Sequence, residues 1–296
     1  MKTYIIAEAG VNHNGQIILA KKLIDEAVKI GSDAIKFQFF DSSQLASAGT
    51  KKASYQIKNS KKHQTQLQML KGLELSSNEI IDLKEYSKKK KIDFLLSCFD
   101  LNSLNFVLKK LNPKVLKIAS GEINNYPLLI HHALSKKKII LSTGMSNISE
   151  IRNALGVIAF GYLNSSRVKP SNVKFEKTFK SSKGKEILRK NVTLLQCTSD
   201  YPCSYKDSNL LAINNLREIF GLKIGYSDHT SGIEASISAV SLGASVIEKH
   251  LTLDNSMRGP DHKASLNPKN CNAMVNSIRN IEIALGDGKK RLMPSE

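Results

Sequence analysis

The stretch Ser245-Val246-Ile247-Glu248-Lys249-His250-Leu251-Thr252 decides the fold. It opens as a buried strand opens, with a small residue and two β-branched ones. It then carries Glu, Lys and His in succession. A strand that only packs has no use for them, because charge is costly to bury unless it is paired or liganded. Side chains alternate across a strand, so Glu248 and His250 share one face and Lys249 takes the other. The segment reads as a strand that crosses from a core to a functional mouth, with Lys249 turned toward a helix layer or solvent.

Seven other segments end in the same way. They are Thr3–Glu8, Asp33–Gln38, Asp93–Cys98, Val115–Ser120, Lys138–Thr143, Val192–Cys197 and Lys223–Ser227, and Ser245–His250 is the eighth. Helical patterns separate them, which argues for βα units and a parallel sheet. Eight such units predict an α/β protein built as a single (β/α)8 TIM barrel over residues 1–296. No GxGxxG follows the first strand, which counts against a doubly wound dinucleotide fold. Ala20, Leu23, Ile24, Ala27 and Val28 make an apolar helix stripe that ends at Gly31. Ser76 with Glu79 forms a capping-box pattern, and Asn267-Pro268 opens the last helix. The stretch 161–190 is basic and poor in apolar residues. It is expected to be a mobile insertion on the N-terminal face of the barrel, away from the chemistry.

The composition narrows the function classes. The chain has 296 residues, 41% of them hydrophobic, and a formal net charge of +18. The excess is mostly Lys spread along helix faces and loops, with no zinc-finger, RNP or basic-region pattern, so no nucleic-acid partner is expected. No apolar run is long enough to span a membrane, and Glu8 interrupts the first apolar segment before it can act as a signal sequence. Cys98, Cys197, Cys203 and Cys271 are scattered without a CxxC, which fits reduced thiols in a cytoplasmic protein.

Barrel enzymes build their sites from the C-terminal strand ends. Here those ends offer Glu8, Lys36, Gln38, Ser97, Lys117, Ser120, Glu122, Ser142, Ser199, Ser227, His229, Glu248 and His250. His229 and His250 close adjacent strands, which lie about 4.8 Å apart, so one divalent ion can bridge them. Two visible protein ligands favour an octahedral ion such as Mn2+, with Mg2+ or Co2+ as substitutes, over a closed zinc site. The plainer reading makes each His a hydrogen-bonded loop residue. Lys36 and Lys117 lie within apolar strands, where Lys is rarely structural. They read as an anion cradle with Ser120, Ser142 and Ser227, as partners of Glu8 or Glu248 in buried ion pairs, or as a Schiff-base lysine. Glu8 and Glu122 are candidates for general acid–base work. The loop Gly10–Gly15 can line the site or simply make the first turn. Asp261 and His262, after the last strand, can touch a substrate.

In order and over essentially the whole chain, the segments IAEAGVNHNG, AIKFQ, LKIASGEINNYP, LSTGM, CTSDYP, GYSDHT, IEKHLTLD and GPDHKASL resemble the N-acetylneuraminate (sialic acid) synthase family. SYQIKN followed by QLQMLKGLEL resembles its bacterial members. The resemblance implies condensation of phosphoenolpyruvate with N-acetylmannosamine and water, giving N-acetylneuraminate and phosphate. Relatives making legionaminic or pseudaminic acid from a diacetamido-dideoxy hexose are the alternative.

By this resemblance His229 and His250 hold the metal, usually Mn2+. Lys36, Lys117, Ser120, Ser142 and Ser227 cradle phosphoenolpyruvate, and Ser199 falls at the same pocket. Glu8 and Glu122 handle protons or water. Tyr201 and Asp261 line the sugar pocket, which Gln38 helps to shape. The resemblance also implies a homodimer. Gln196 stands where relatives often carry His. The resemblance implies an antifreeze-like domain beyond the position of Glu296 in relatives, and its absence is the expectation here. A reading of another class is therefore a barrel that binds these ligands without turning them over.

Overall fold

A computed structural model describes residues 2–52, 56–57 and 64–296. Most of the SYQIKN stretch falls outside the described residues. Eight parallel strands close into a barrel in chain order. They are β1 (Tyr4–Gly10), β2 (Ala34–Phe39), β3 (Asp93–Cys98), β4 (Val115–Ile118), β5 (Lys138–Ser142), β6 (Val192–Cys197), β7 (Lys223–Asp228) and β8 (Val246–His250). The expected (β/α)8 barrel is what the chain forms. Strand bounds shift slightly at the ends. β1 runs on to Gly10, and β4 stops before Ser120, which instead opens a short 3-10 turn.

Alternation sorts the side chains into two cores. The outward faces pack against the helix ring in one large cluster that includes Ile5, Phe37, Leu141 and Tyr226. The inward faces form a small apolar plug at the bottom, from Ile6, Ala34, Leu95, Ile140, Leu195 and Val246. Gly225 is required in this plug. A Cβ there would collide with the Val246 carbonyl and the Leu195 side chain. The next inward position on most strands is polar, so the plug is the floor of the site.

The helices follow local rules. Ser76 and Glu79 make the expected reciprocal capping box before Ser77–Lys89, and Asn267 caps Pro268–Ala284. Ala20, Leu23, Ile24 and Ala27 are buried along helix Ile17–Lys29, and Gly31 takes φ +76° just beyond its end. The last helix packs in the outer ring between Glu234–Ser241 and Ile17–Lys29, and its Arg279 reaches the N-terminal strand ends. Arg279 pairs with Asp33 at 2.7 Å and donates to the Thr3 carbonyl at 2.9 Å. No helix among the described residues is long and apolar enough to cross a membrane.

The stretch 161–190 is not the mobile insertion expected of it. Helix Ile148–Leu163 runs into it, and two more helices, Asn172–Lys180 and Ser182–Asn191, fill most of the rest. Ser171 and Ser181 cap these helices, accepting from Lys174 N and Gly184 N. Phe175 is buried edge-on to Phe160, with ring centroids 5.2 Å apart, and meets Tyr126 at 6.1 Å. A few well-spaced apolar residues suffice to dock a Lys-rich segment, because the lysines occupy only its solvent side. Asn191 leads directly into the start of β6, so the segment does lie toward the N-terminal end of that strand.

Candidate active site

Directly above the apolar plug, strand register collects one polar layer. Glu8 of β1 pairs in register with Lys36 of β2 and with His250 of β8. Ser97 of β3 sits beside Lys117 of β4, and Ser227 of β7 beside Glu248 of β8. Glu8, Lys36, Ser97, Lys117, Ser142, Ser227 and Glu248 are all at most 5% exposed.

The charges compensate one another. Lys36 Nζ lies 2.8 Å from Glu8 Oε2 and 3.6 Å from Glu248 Oε2. Lys117 Nζ lies 3.4 Å from Glu248 Oε1 and donates to Ser142 Oγ at 2.8 Å. Ser227 Oγ donates to Glu248 Oε1 at 2.9 Å, and Lys36 donates to Ser97 at 3.2 Å. The buried ion pairs that the sequence left as one option are thus present, and the two lysines converge on one carboxylate.

Burial splits the behaviour of these groups. Burial raises the Glu8 pKa, Lys36 only partly pulls it back, and Glu248 raises it further. Burial also acts to raise Glu248, but Lys117 and Lys36 outweigh it and hold the carboxylate low. Lys117 is lowered by burial, which Glu248 does not fully offset. For Lys36 the two carboxylates win over burial and raise it. Glu248 stays charged while Glu8 is able to hold a proton near neutral pH.

His229 and His250 stand above this layer with ring centroids 5.5 Å apart. The Tyr201 ring packs on both, at 4.2 Å and 5.6 Å. His229 Nδ1 is 2.7 Å from the Thr198 carbonyl, which can only accept, so the proton sits on Nδ1 and Nε2 keeps its lone pair in the neutral ring. Burial opposes a charge on His229, but the Cys197 thiol 3.8 Å away and the Thr198 carbonyl raise its pKa nonetheless. His250 is lowered well below the usual value by burial and by His229. Its Nδ1 is buried without a hydrogen-bond partner among the described residues, as is Glu248 Oε2.

Two imidazoles, one neutral and one with a fixed tautomer, fit a divalent cation. No cluster of three or more His, Cys, Asp or Glu side chains suited to a metal occurs among the described residues. The protein would thus contribute two ligands and leave the other positions open.

A second group of hydroxyls lies at the ends of β4, β5 and β6. Ser120 Oγ accepts from Gly144 N at 3.0 Å and contacts Cys197 Sγ at 3.6 Å. A Cβ on Gly144 would collide with the Ser199 and Ser120 hydroxyls and crowd the Cys197 thiol. Gly144 therefore keeps this pocket open. At the opposite rim Gly10, at φ +53°, leaves room beside Glu8, His250 and Gln38.

Two predicted residues sit further from the layer. Glu122 is half-buried, raised by burial, and accepts from Asn125 Nδ2 at 2.8 Å. Burial pushes Asp261 up to about 6, and His229 is close enough to pull it back slightly.

Other residues from the sequence serve the frame. Asn12 donates to the Leu251 carbonyl and to Ser265 Oγ, both at 2.9 Å. His262 is tied to Thr252 Oγ1 and Asn14 Oδ1 at 2.7 and 3.1 Å, which leaves no nitrogen for a substrate. These bonds bind the β1 loop to the loop after β8. Gln196 faces away from the mouth and donates to the Ser208 carbonyl at 3.2 Å. Lys249 does point outward, into the helix layer, and its side chain is fully buried. The charged layer also includes Ser97 and the central Glu248, and Gly144 and Cys197 join the hydroxyl pocket. Ser97 and Glu248 were legible from strand alternation. Gly144 and Cys197 become visible only through the neighbours that the closed barrel gives them.

Polar groups gathered at the C-terminal mouth of a (β/α)8 sheet place the chain among barrel proteins with an enzyme-like site. Comparison with known proteins narrows that class: the chain belongs to the NeuB family, whose model matches residues 23–290. It is 46% identical over 295 residues to an N,N'-diacetyllegionaminic acid synthase of Campylobacter jejuni, covering 100% of this chain and 81% of that protein. It is 43% identical to one from Legionella pneumophila, covering 100% of this chain and 77% of the other. The human N-acetylneuraminate-9-phosphate synthase is 34% identical, over 99% of this chain and 74% of that protein. Among solved structures, the N-acetylneuraminic acid (sialic acid) synthetase of Leptospira borgpetersenii in complex with citrate superposes with a TM-score of 0.80 at 36% identity, covering 100% of this chain and 89% of that one.

Proposed function

We propose that this protein is a metal-dependent synthase that condenses phosphoenolpyruvate with an N-acylated amino-sugar aldehyde. The observation that carries the reading is the buried layer in which Lys36 and Lys117 converge on Glu248 beneath His229 and His250. Two ammonium groups with Ser142, Ser227 and the Ser120–Ser199 pocket suit a phosphate and a carboxylate on one small molecule. Membership of a family that contains synthases of acidic sugars supports the same chemistry.

In the reaction, C3 of phosphoenolpyruvate forms a bond to the aldehyde carbon. The aldehyde oxygen takes up a proton, water adds at C2, and the C2–O bond to phosphate breaks to release inorganic phosphate. Lys36, Lys117 and the hydroxyls hold the three-carbon substrate. Glu8, able to keep a proton near neutral pH, and Glu122 at the rim are the groups for proton transfer and water activation. A divalent ion such as Mn2+ on His229 and His250 would supply Lewis acidity toward the aldehyde. Tyr201, Gln38 and Asp261 line the sugar side.

For the sugar, identities of 46% and 43% to legionaminic acid synthases, against 34% to the human N-acetylneuraminate-9-phosphate synthase, favour the legionaminic precursor, a diacetamido-dideoxy hexose, over N-acetylmannosamine. Phosphate release should be measured with phosphoenolpyruvate, Mn2+ and each sugar in turn. Release with the diacetamido sugar is expected, and release with N-acetylmannosamine alone would transfer the assignment to sialic acid. Release with neither would count for a ligand-binding barrel without turnover. Borohydride with pyruvate should trap no adduct on Lys36 or Lys117.

A further inference from the structure

We infer that Lys249 and Asp228 are positioning residues that fix His229 and His250 relative to each other from the reverse side of the sheet. The inference rests on the metal reading above. Asp228 and Lys249 are partners in register on β7 and β8. Both side chains are 0% exposed, and Lys249 Nζ lies 2.9 Å from Asp228 Oδ2. Asp228 Oδ1 accepts from Thr230 N and Thr230 Oγ1, each at 2.8 Å. Its Oδ2 accepts from Ser236 Oγ at 2.6 Å. Lys249 also donates to the Thr230 carbonyl at 2.5 Å.

The positions matter more than the number of bonds. His229 lies between Asp228 and Thr230, and His250 follows Lys249. One cluster therefore grips the chain on both sides of the first imidazole and immediately before the second. The cluster lies on the helix side of the strands, while the His250 side chain projects into the mouth. Register pairing between β7 and β8 extends no further than Asp228 and Lys249, so these two residues are the last register partners below the histidines.

A purely structural role is the competing account, since Ser236 belongs to helix Glu234–Ser241 and the cluster anchors it. Packing alone would be served as well by apolar residues, which avoid the desolvation cost of two buried charges. Ligand-supporting groups of this kind commonly change metal affinity by about 10–100-fold when removed.

The test is Mn2+ binding, read from the EPR signal of free Mn2+, in the wild type, in the charge-free double variant Lys249→Met with Asp228→Asn, and in Ser236→Ala. The double variant is expected to raise the Mn2+ Kd by about 10–100-fold, and Ser236→Ala by less. Affinity of the metal-free protein for phosphoenolpyruvate, measured by calorimetry, should stay within about twofold, because Lys36 and Lys117 lie on the other face. Wild-type Mn2+ affinity in both variants, with only a lowered Tm, would overturn the inference. Should the double variant not fold, Ser236→Ala decides alone: an unchanged Kd overturns and a raised one sustains. No Mn2+ binding by the wild type would instead overturn the metal reading itself.

Discussion

Glu248→Gln offers the sharpest test of the charged layer. The substitution keeps the side-chain shape and an oxygen for Ser227, and removes one charge. Glu248 lies 3.4 Å from Lys117 and 3.6 Å from Lys36. At an effective dielectric of about 20, each contact contributes roughly 4–5 kcal/mol of attraction. Much of that offsets the cost of burying the carboxylate, so a net loss of about 3–5 kcal/mol is expected when one partner goes. With about 2.1 cal/mol/K of unfolding entropy per residue, a chain of 296 residues should lose roughly 5–8 °C in Tm.

The second half of the expectation runs the other way. The wild-type layer holds two carboxylates and two ammonium groups, and the variant keeps one carboxylate. A bound anion about 6 Å from the excess charge gains roughly 3 kcal/mol at the same dielectric. Phosphoenolpyruvate should therefore raise the Tm of Glu248→Gln more than that of the wild type. Differential scanning fluorimetry over a phosphoenolpyruvate titration reads both effects. A variant as stable as the wild type, or one that the ligand stabilises less, would refute the idea that Glu248 occupies the lysines in the free protein.

Other expectations follow from single sites. Lys117→Met removes the charge-assisted contact proposed for phosphoenolpyruvate and should weaken its binding by roughly 10–100-fold, checked by calorimetry, while sugar KM moves little. Gly144→Ala should abolish turnover with the fold intact by circular dichroism, because the added methyl meets the Ser199 and Ser120 hydroxyls. Phe175→Ala should cost about 3 kcal/mol in urea unfolding, whereas a mobile insertion would show no loss. Burial lowers His13 and His132 to about 4, and each keeps an Nε2 with no hydrogen-bond partner among the described residues. Their unfolded forms bind the proton at about 6.5, so their contribution is present above that pH and is lost as pH falls from 6.5 through 4, by about 3 kcal/mol each. Urea midpoints across this range should fall less steeply in His132→Gln.

Much of this site is legible before any coordinates, because a parallel barrel obeys simple rules. Strand alternation places Glu248 and His250 on one face and Lys249 on the other. The closed order makes His229 and His250 neighbours. What the sequence hides is register and local docking. Whether Lys36 pairs with Glu8, with Glu248 or with neither depends on strand stagger, which no local pattern encodes. The helices Asn172–Lys180 and Ser182–Asn191 were obscured by their lysines. Phe175, Phe179 and Leu188 carry the docking face, and Ser171 and Ser181 cap the two helices. The Gly10–Gly15 loop reads from sequence as site lining or as the first turn. Its Asn12 and Asn14 bonds instead hold the β1 and β8 loops together.

The two readings of Lys36 and Lys117, ion pair and anion cradle, are usually set against each other. Under the proposed function they describe one device. Two ammonium groups cannot lie at the bottom of a barrel without counter-charge, because an isolated buried ion costs several kcal/mol. Glu8 and Glu248 supply that charge in the free protein, at distances of 2.8 to 3.6 Å. The pairing is loose where it needs to be: Glu248 Oε2 has no hydrogen-bond partner among the described residues and sits 3.6 Å from Lys36. An incoming phosphate or carboxylate can then share the lysines with less loss than a tight bidentate pair would impose. Burial raises Glu8 more than its partners lower it. Of the two carboxylates, Glu8 is thus the one that can accept a proton and give up its claim on Lys36 when the anion arrives. The carboxylate held charged, Glu248, keeps both lysines in place throughout.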